Sequence, residues 1–185
     1  MSDLKGIRVA ILATDGVEQA ELIEPRKFME QLGAKTTLLS PKAAPIQAMQ
    51  HDEKGETIPA DGPVEAANAQ DYDAVLLPGG ALNADKLRMN EEARRFVREM
   101  DRAQKPVAVI CHGPWLLVSA GLAKGRRMTS YYTIQDDLRN AGAEWRDEEV
   151  VRDKNWISSR QPSDIPAFNR AIAEILTDVR AKLAA

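Results

Sequence analysis

The chain has one cysteine, Cys111, and two histidines, His51 and His112, among 185 residues. A lone cysteine excludes an intramolecular disulfide. With no second thiol and the histidines far apart, no ligand spacing for zinc or iron exists, so neither a metal nor another cofactor is expected. Apolar runs are too short to cross a bilayer, and the N-terminal Met1-Ser-Asp-Leu-Lys-Gly6 lacks the apolar core of a signal peptide. These absences argue against a membrane partner and point to the cytoplasm. The net charge is only −3 and no basic block interrupts the interspersed charges, so nucleic acid is not an expected partner. Repeats and low-complexity segments are also missing. The glycine pair Gly79-Gly80 is followed by Ala-Leu-Asn-Ala, which lacks the glycine spacing of a dinucleotide-binding turn.

What is present is a hydrophobic content of 44% in a length suited to one domain, residues 1–185. Apolar β-rich runs at 6–14, 34–40, 73–77 and 107–110 alternate with segments of helical spacing. That alternation predicts an α/β fold, a three-layer αβα sandwich of flavodoxin-like character with a mostly parallel central sheet. Residues 46–50 and 56–59 read as a hairpin, with His51 near its tip as a surface residue. A short helix is expected over 64–69. Asp85 falls in a connecting loop, and Asn90 caps a helix that follows it. Residues 128–132 read as a strand. Glu149–Val151 and Trp156–Ser159 form an antiparallel pair, and Ile165–Leu183 closes the chain as a helix.

The most informative stretch is Val107-Ala-Val-Ile-Cys-His-Gly-Pro114. Val107–Ile110 is apolar on both faces, as a covered parallel strand requires, so Cys111 falls at the strand's carboxyl end. Gly113 permits backbone conformations closed to other residues, and Pro114 suits the first turn of a helix. A thiol ahead of a helix N-terminus faces unpaired N–H groups and the positive dipole end, so its pKa should fall. The N–H of His112 would then help to bind an oxyanion, as at a hydrolase nucleophile elbow. A buried core cysteine is the plainer reading, and the His-Gly-Pro that follows argues against it. Gly79 and Gly80 end another strand on the same edge, where glycine lets N–H groups approach a ligand or simply allows a tight turn. Glu18, after the first strand, also reaches this edge. It reads equally as a site acid or as a charge on the first turn of its helix.

Ala108-Val-Ile-Cys-His-Gly-Pro114 resembles the elbow of the PfpI/ThiJ-like families in the class I glutamine amidotransferase-like superfamily. Asp15-Gly-Val-Glu-Gln-Ala-Glu21, Leu77-Pro-Gly-Gly80, Thr129-Ser-Tyr131 and Asn155-Trp-Ile-Ser-Ser-Arg160 extend the resemblance over nearly the whole chain. It implies that Glu18 contacts the thiol and shares a proton with it. It implies that Gly80 N–H is the second oxyanion donor. It also implies that Asp85 reaches His112 of a neighbouring subunit, completing a Cys-His-acid triad in a homo-oligomer, a dimer or larger.

Three functions use the same Cys111. The first is a stress-defence enzyme of glyoxalase or deglycase type, in which the thiolate adds to a small reactive carbonyl while Glu18 and His112 move protons. The second is an intracellular cysteine peptidase or amidase acting on peptides, with His112 as base. A glutaminase triad is absent, because no histidine follows His112. The third is a non-enzymatic redox sensor or chaperone, with Cys111 oxidised to sulfinate.

Overall fold

The computed structural model describes residues 3–42 and 44–183. The chain runs β1 (Arg8–Leu12), β2 (Val17–Glu18), α1 (Gln19–Gln31), β3 (Lys35–Ser40), β4 (Ile46–Gln50), β5 (Glu53–Ile58), β6 (Gly62–Pro63) and β7 (Ala74–Leu77). It continues through α2 (Ala81–Met89), α3 (Glu91–Arg102), β8 (Val107–Ile110), α4 (Pro114–Ser119), β9 (Arg127–Met128), α5 (Gln135–Asn140) and β10 (Glu144–Trp145). The last elements are β11 (Val150–Asp153), β12 (Trp156–Ser159) and α6 (Ile165–Leu183).

The central sheet has the order β11-β12-β8-β7-β1-β3-β6, parallel throughout except at β11. Its central strands β7 and β8 are apolar and buried at every position because both faces are covered. Along β1, Val9 and Ile11 pack on one side with Leu22 and Met29 of α1 and with Phe168 and Ile172 of α6. Ala10 and Leu12 pack on the other side with Phe96 and Val97 of α3 and with Leu116 and Leu117 of α4. This is the expected flavodoxin-like three-layer sandwich.

Helix α3 shows how local sequence sets an element. The Asn90 side chain accepts the Ala93 N–H at 2.8 Å, and Glu91 and Glu92 complement the dipole in the first turn. Ala93, Phe96, Val97 and Met100 then bury one stripe. Phe96→Ala would leave a cavity there and cost about 3–5 kcal/mol.

Several elements depart from the sequence reading. Asp85 is not in a loop but within α2, exposed. Ala81–Met89 mixes small, polar and apolar residues too evenly to advertise a helix. The segment 64–69 is two 3-10 turns, Val64–Ala66 and Ala69–Asp71, instead of one helix. Of residues 128–132 only Met128 lies in a strand, the two-residue β9 with Arg127, paired with β10 outside the main sheet. The hairpin forms with a tighter turn than expected, and β4 also pairs in parallel with β2. That pairing folds the hairpin over the carboxyl edge of the sheet.

Candidate active site

Four strand ends meet on that edge. The loop after β1, the Pro78–Gly80 turn after β7, Cys111 after β8 and Gln161–Ser163 after β12 all border one cavity of about 730 Å³. Buried Asn83 ties two of these loops together: its Oδ1 accepts Thr14 N–H at 2.8 Å, and its Nδ2 donates to Pro78 O at 3.1 Å and Gly79 O at 3.0 Å. The sequence reading passed over Asn83, because a polar residue inside a helix carries no signal until its partners are known.

Cys111 itself occupies the left-handed region, with φ 61°. A non-glycine residue pays strain to sit there, and such residues concentrate at functional sites. Gly113, expected to supply unusual backbone freedom, is instead helical at φ −48° and ψ −35°. Its glycine is needed for space: a Cβ would come within 2.7 Å of Leu77 O and 2.9 Å of Val109 Cγ2. Gly80 is the position that needs both freedom and space, with φ 90° and a would-be Cβ 2.6 Å from Glu18 N.

The thiol is buried. Burial pushes its pKa above the ordinary thiol range, as does the charge of Glu21 when ionised, while the N–H groups of Gly80 and His112 pull it down. The sequence reading expected a depressed pKa. Desolvation wins here, because α4 spans only six residues and the sulfur is shut away from water.

The acid beside the thiol is Glu21, not Glu18. Glu21 is fully buried, and its Oε2 accepts the Gly79 N–H at 2.8 Å. A Cβ on Gly79 would collide with both Glu21 Oε2 and Cys111 Cβ, so the two side chains close on the same spot. Glu21 Oε1 has no partner among the described residues. Burial raises its pKa to about 8, with the Glu18 charge adding and the Gly79 N–H opposing, so the acid is protonated at neutral pH. Glu18 lines the cavity but turns its Oε2 to the His51 N–H at 3.1 Å. A readable signal existed: Glu21, Pro25 and Met29 follow at i, i+4 and i+8, all buried, which puts an acid on the apolar face of α1. Gly79 therefore spends its N–H on Glu21, while Gly80 and His112 direct theirs at the sulfur.

His112 places Nδ1 3.2 Å from Cys111 Sγ, stacks on Tyr131 at 5.0 Å and meets the edge of Trp115 at 5.3 Å. Its Nε2 lies 3.4 Å from Thr133 Oγ1. Burial lowers its pKa, leaving a neutral imidazole able to accept a proton. His51, expected as a plain surface residue, is exposed yet lines the cavity with Asp52. No group of three or more His, Cys, Asp or Glu side chains suited to a metal occurs among the described residues, and no described helix is long and apolar enough to cross a membrane.

A sequence profile of the DJ-1/PfpI family matches residues 7–175. A relative from Pyrococcus abyssi named as a deglycase is 42% identical over 170 residues, covering 92% of this chain and 99% of that protein. A relative from Bacillus subtilis named as a candidate cysteine protease is 37% identical over 169 residues, covering 91% and 98%. Among solved structures, a two-domain protein from Anabaena variabilis with DJ-1/ThiJ/PfpI-like and ferritin-like domains superimposes with a TM-score of 0.85 at 36% identity. That match covers 92% of this chain and 48% of the other.

Proposed function

The chain belongs to the DJ-1/PfpI family, and on that premise we propose that it is a cofactor-independent cysteine enzyme acting on small reactive carbonyls, of glyoxalase or deglycase type, in stress defence. The observation that carries this reading is the enclosed trio of Cys111, a protonated Glu21 and a neutral His112 on one cavity. A thiol that is not ionised at rest needs a base as it attacks, and His112 Nδ1 is in reach of its proton.

With methylglyoxal as the test compound, Sγ bonds to the aldehyde carbon while His112 takes the thiol proton. The aldehyde oxygen becomes an oxyanion between the Gly80 and His112 N–H groups. Glu21 protonates it, giving a hemithioacetal, and the resulting carboxylate then removes the C1 hydrogen. The enediolate so formed takes that proton back at C2 while the C1 hydroxyl proton passes to the C2 oxygen by way of His112, which yields the enzyme-bound thioester of lactate. Water hydrolyses the thioester, releasing lactate and the thiol, so the sum is methylglyoxal plus water to lactate and a proton. Glu21 thus takes the role that the sequence reading gave to Glu18. Asp85, exposed on α2, is assigned to orient His112 of a neighbouring copy, which makes the working unit a homo-oligomer.

The peptidase reading is supported by the Bacillus subtilis relative's name, and it requires the same Cys111 and His112. One experiment separates the two. Wild type and Cys111→Ser are assayed for lactate from methylglyoxal and for cleavage of a fluorogenic peptide. Lactate from wild type alone, with the peptide intact, supports the proposal. Peptide cleavage without lactate replaces it with the peptidase, and inactivity in both assays removes both enzyme readings and moves the weight to a redox role for Cys111.

A further inference from the structure

Every charged side chain lining the Cys111 cavity, histidines aside, is acidic. Among the described residues these are Glu18, Glu21 and Asp52, with neither lysine nor arginine. Glu21 is held neutral by burial, and so is His112, so the standing charge of the site lies at its rim on Glu18 and Asp52.

That rim is fastened in place. Strand β4 pairs with β2 in the register Val17 to Ala48 and Glu18 to Met49. The His51 N–H, on a residue at φ 59°, donates to Glu18 Oε2, and Gln19 Oε1 accepts the Glu56 N–H at 2.7 Å. The hairpin tip is therefore tied to the loop that carries Glu18 along both of its strands. Met49, Leu82 and Tyr131 add apolar wall beneath it, and Glu21, buried beside the thiol, lines the interior.

We propose that this fastened tip, Asp52 together with Glu18, is the substrate-selecting rim of the cavity, and that it admits uncharged or cationic carbonyl compounds while turning away anionic ones, carboxylates and phosphates alike. The substrate class rests on the carbonyl reading above; the charge selection does not. Glu18, half-buried and held by the His51 N–H, and the exposed Asp52 flank the path of an incoming anion, and two such charges lower its access about three- to tenfold at low ionic strength.

Cys111 is the sole thiol, so its alkylation reports access directly. Rates with iodoacetamide and iodoacetate are each divided by the rate for glutathione at the same pH and ionic strength. The expected wild-type preference for the neutral reagent is about tenfold at low salt, shrinking towards one at about 0.5 M salt. Asp52→Asn should cut the preference about threefold, and Asp52→Lys should bring it to about one or reverse it. A wild-type ratio near one at low salt overturns the proposal. So does an unchanged ratio in Asp52→Lys with a native circular dichroism spectrum. The same proteins are assayed for turnover of neutral phenylglyoxal against anionic para-carboxyphenylglyoxal, both α-ketoaldehydes that can undergo the same rearrangement, and the kcat/KM ratio should follow the alkylation ratio. A wild type that turns over neither compound removes the carbonyl reading, and the alkylation ratio still decides whether the rim selects by charge.

Discussion

Two carboxyl groups sit at opposite edges of one sheet and are treated in opposite ways. At the amino edge, Asp101 of α3 accepts on Oδ1 from Arg126 Nη2 at 2.7 Å, Trp156 Nε1 at 2.7 Å and Asn155 Nδ2 at 3.1 Å. The Arg126 guanidinium lies over the Trp156 ring at 4.3 Å, so the cation is itself packed. At the carboxyl edge, Glu21 has the Gly79 N–H and the Cys111 thiol as its polar neighbours, and no cation acts on it among the described residues. The first arrangement offsets the cost of desolvating a charge with donors and a counter-ion. The second leaves that cost standing, and the carboxyl answers it by keeping its proton. An acid supplied with donors and a counter-ion serves stability, while one that keeps its proton beside a thiol is what the proposed chemistry requires.

The largest effects should separate these two roles. Glu21→Gln keeps the shape and the acceptor for Gly79 but cannot exchange a proton, so kcat/KM should fall about 10²- to 10⁴-fold in the lactate assay. Stability should move the other way. Glu21's pKa is raised from 4.5 to about 8 in the folded chain, so the folded state binds more protons than the unfolded one between those limits. Its contribution is full below pH 4.5, is lost as pH rises towards about 8, and is flat above. Urea melts at pH 5 and pH 8.5 should therefore show a decline in wild type that is smaller in Glu21→Gln. An equal decline would remove Glu21 as the titrating group. Asp101→Ala should do the reverse, costing about 3 kcal/mol by leaving Arg126 uncompensated, with kcat/KM within about twofold. Loss of activity in a folded Asp101→Ala protein would break the contrast. Gly80→Ala lies between them: positive φ and the collision with the Glu18 backbone should cost about 2 kcal/mol and displace an oxyanion donor, lowering kcat about tenfold.

The same contrast explains what the sequence could reveal. Strands buried on both faces, such as Val107–Ile110, announce themselves because neither face is polar, and α6 is bounded as its apolar stripe predicted. Cys111 and His112 were legible because the strand end and the Gly-Pro turn fix their place. The acid was missed: Glu18 and Glu21 lie three residues apart at one helix entrance, and only the Glu21, Pro25, Met29 stripe distinguishes the one that packing encloses. Gly113 and Cys111 exchanged roles for a similar reason. A glycine next to a nucleophile suggests backbone freedom, but here the crowding of Leu77 and Val109 claims the glycine, and the cysteine carries the left-handed turn. Helix α2 was hidden by its composition, and with it the fact that Asp85 stands on a rigid element.

The smallest expected effect decides how His112 is oriented. Within the chain, the group facing Nε2 is Thr133 Oγ1 at 3.4 Å, long for a hydrogen bond between a hydroxyl and a ring nitrogen. An acid on that nitrogen would hold the imidazole far more firmly. If a neighbour's Asp85 supplies it, Asp85→Asn should lower kcat/KM about tenfold, whereas Thr133→Val should lower it no more than about threefold. Mixing inactive Cys111→Ser subunits with Asp85→Asn subunits should then restore part of the activity, because some interfaces pair an intact cysteine with an intact acid. If Thr133→Val proves the more damaging variant and mixing restores nothing, His112 is oriented from within its own chain and the site needs no partner subunit.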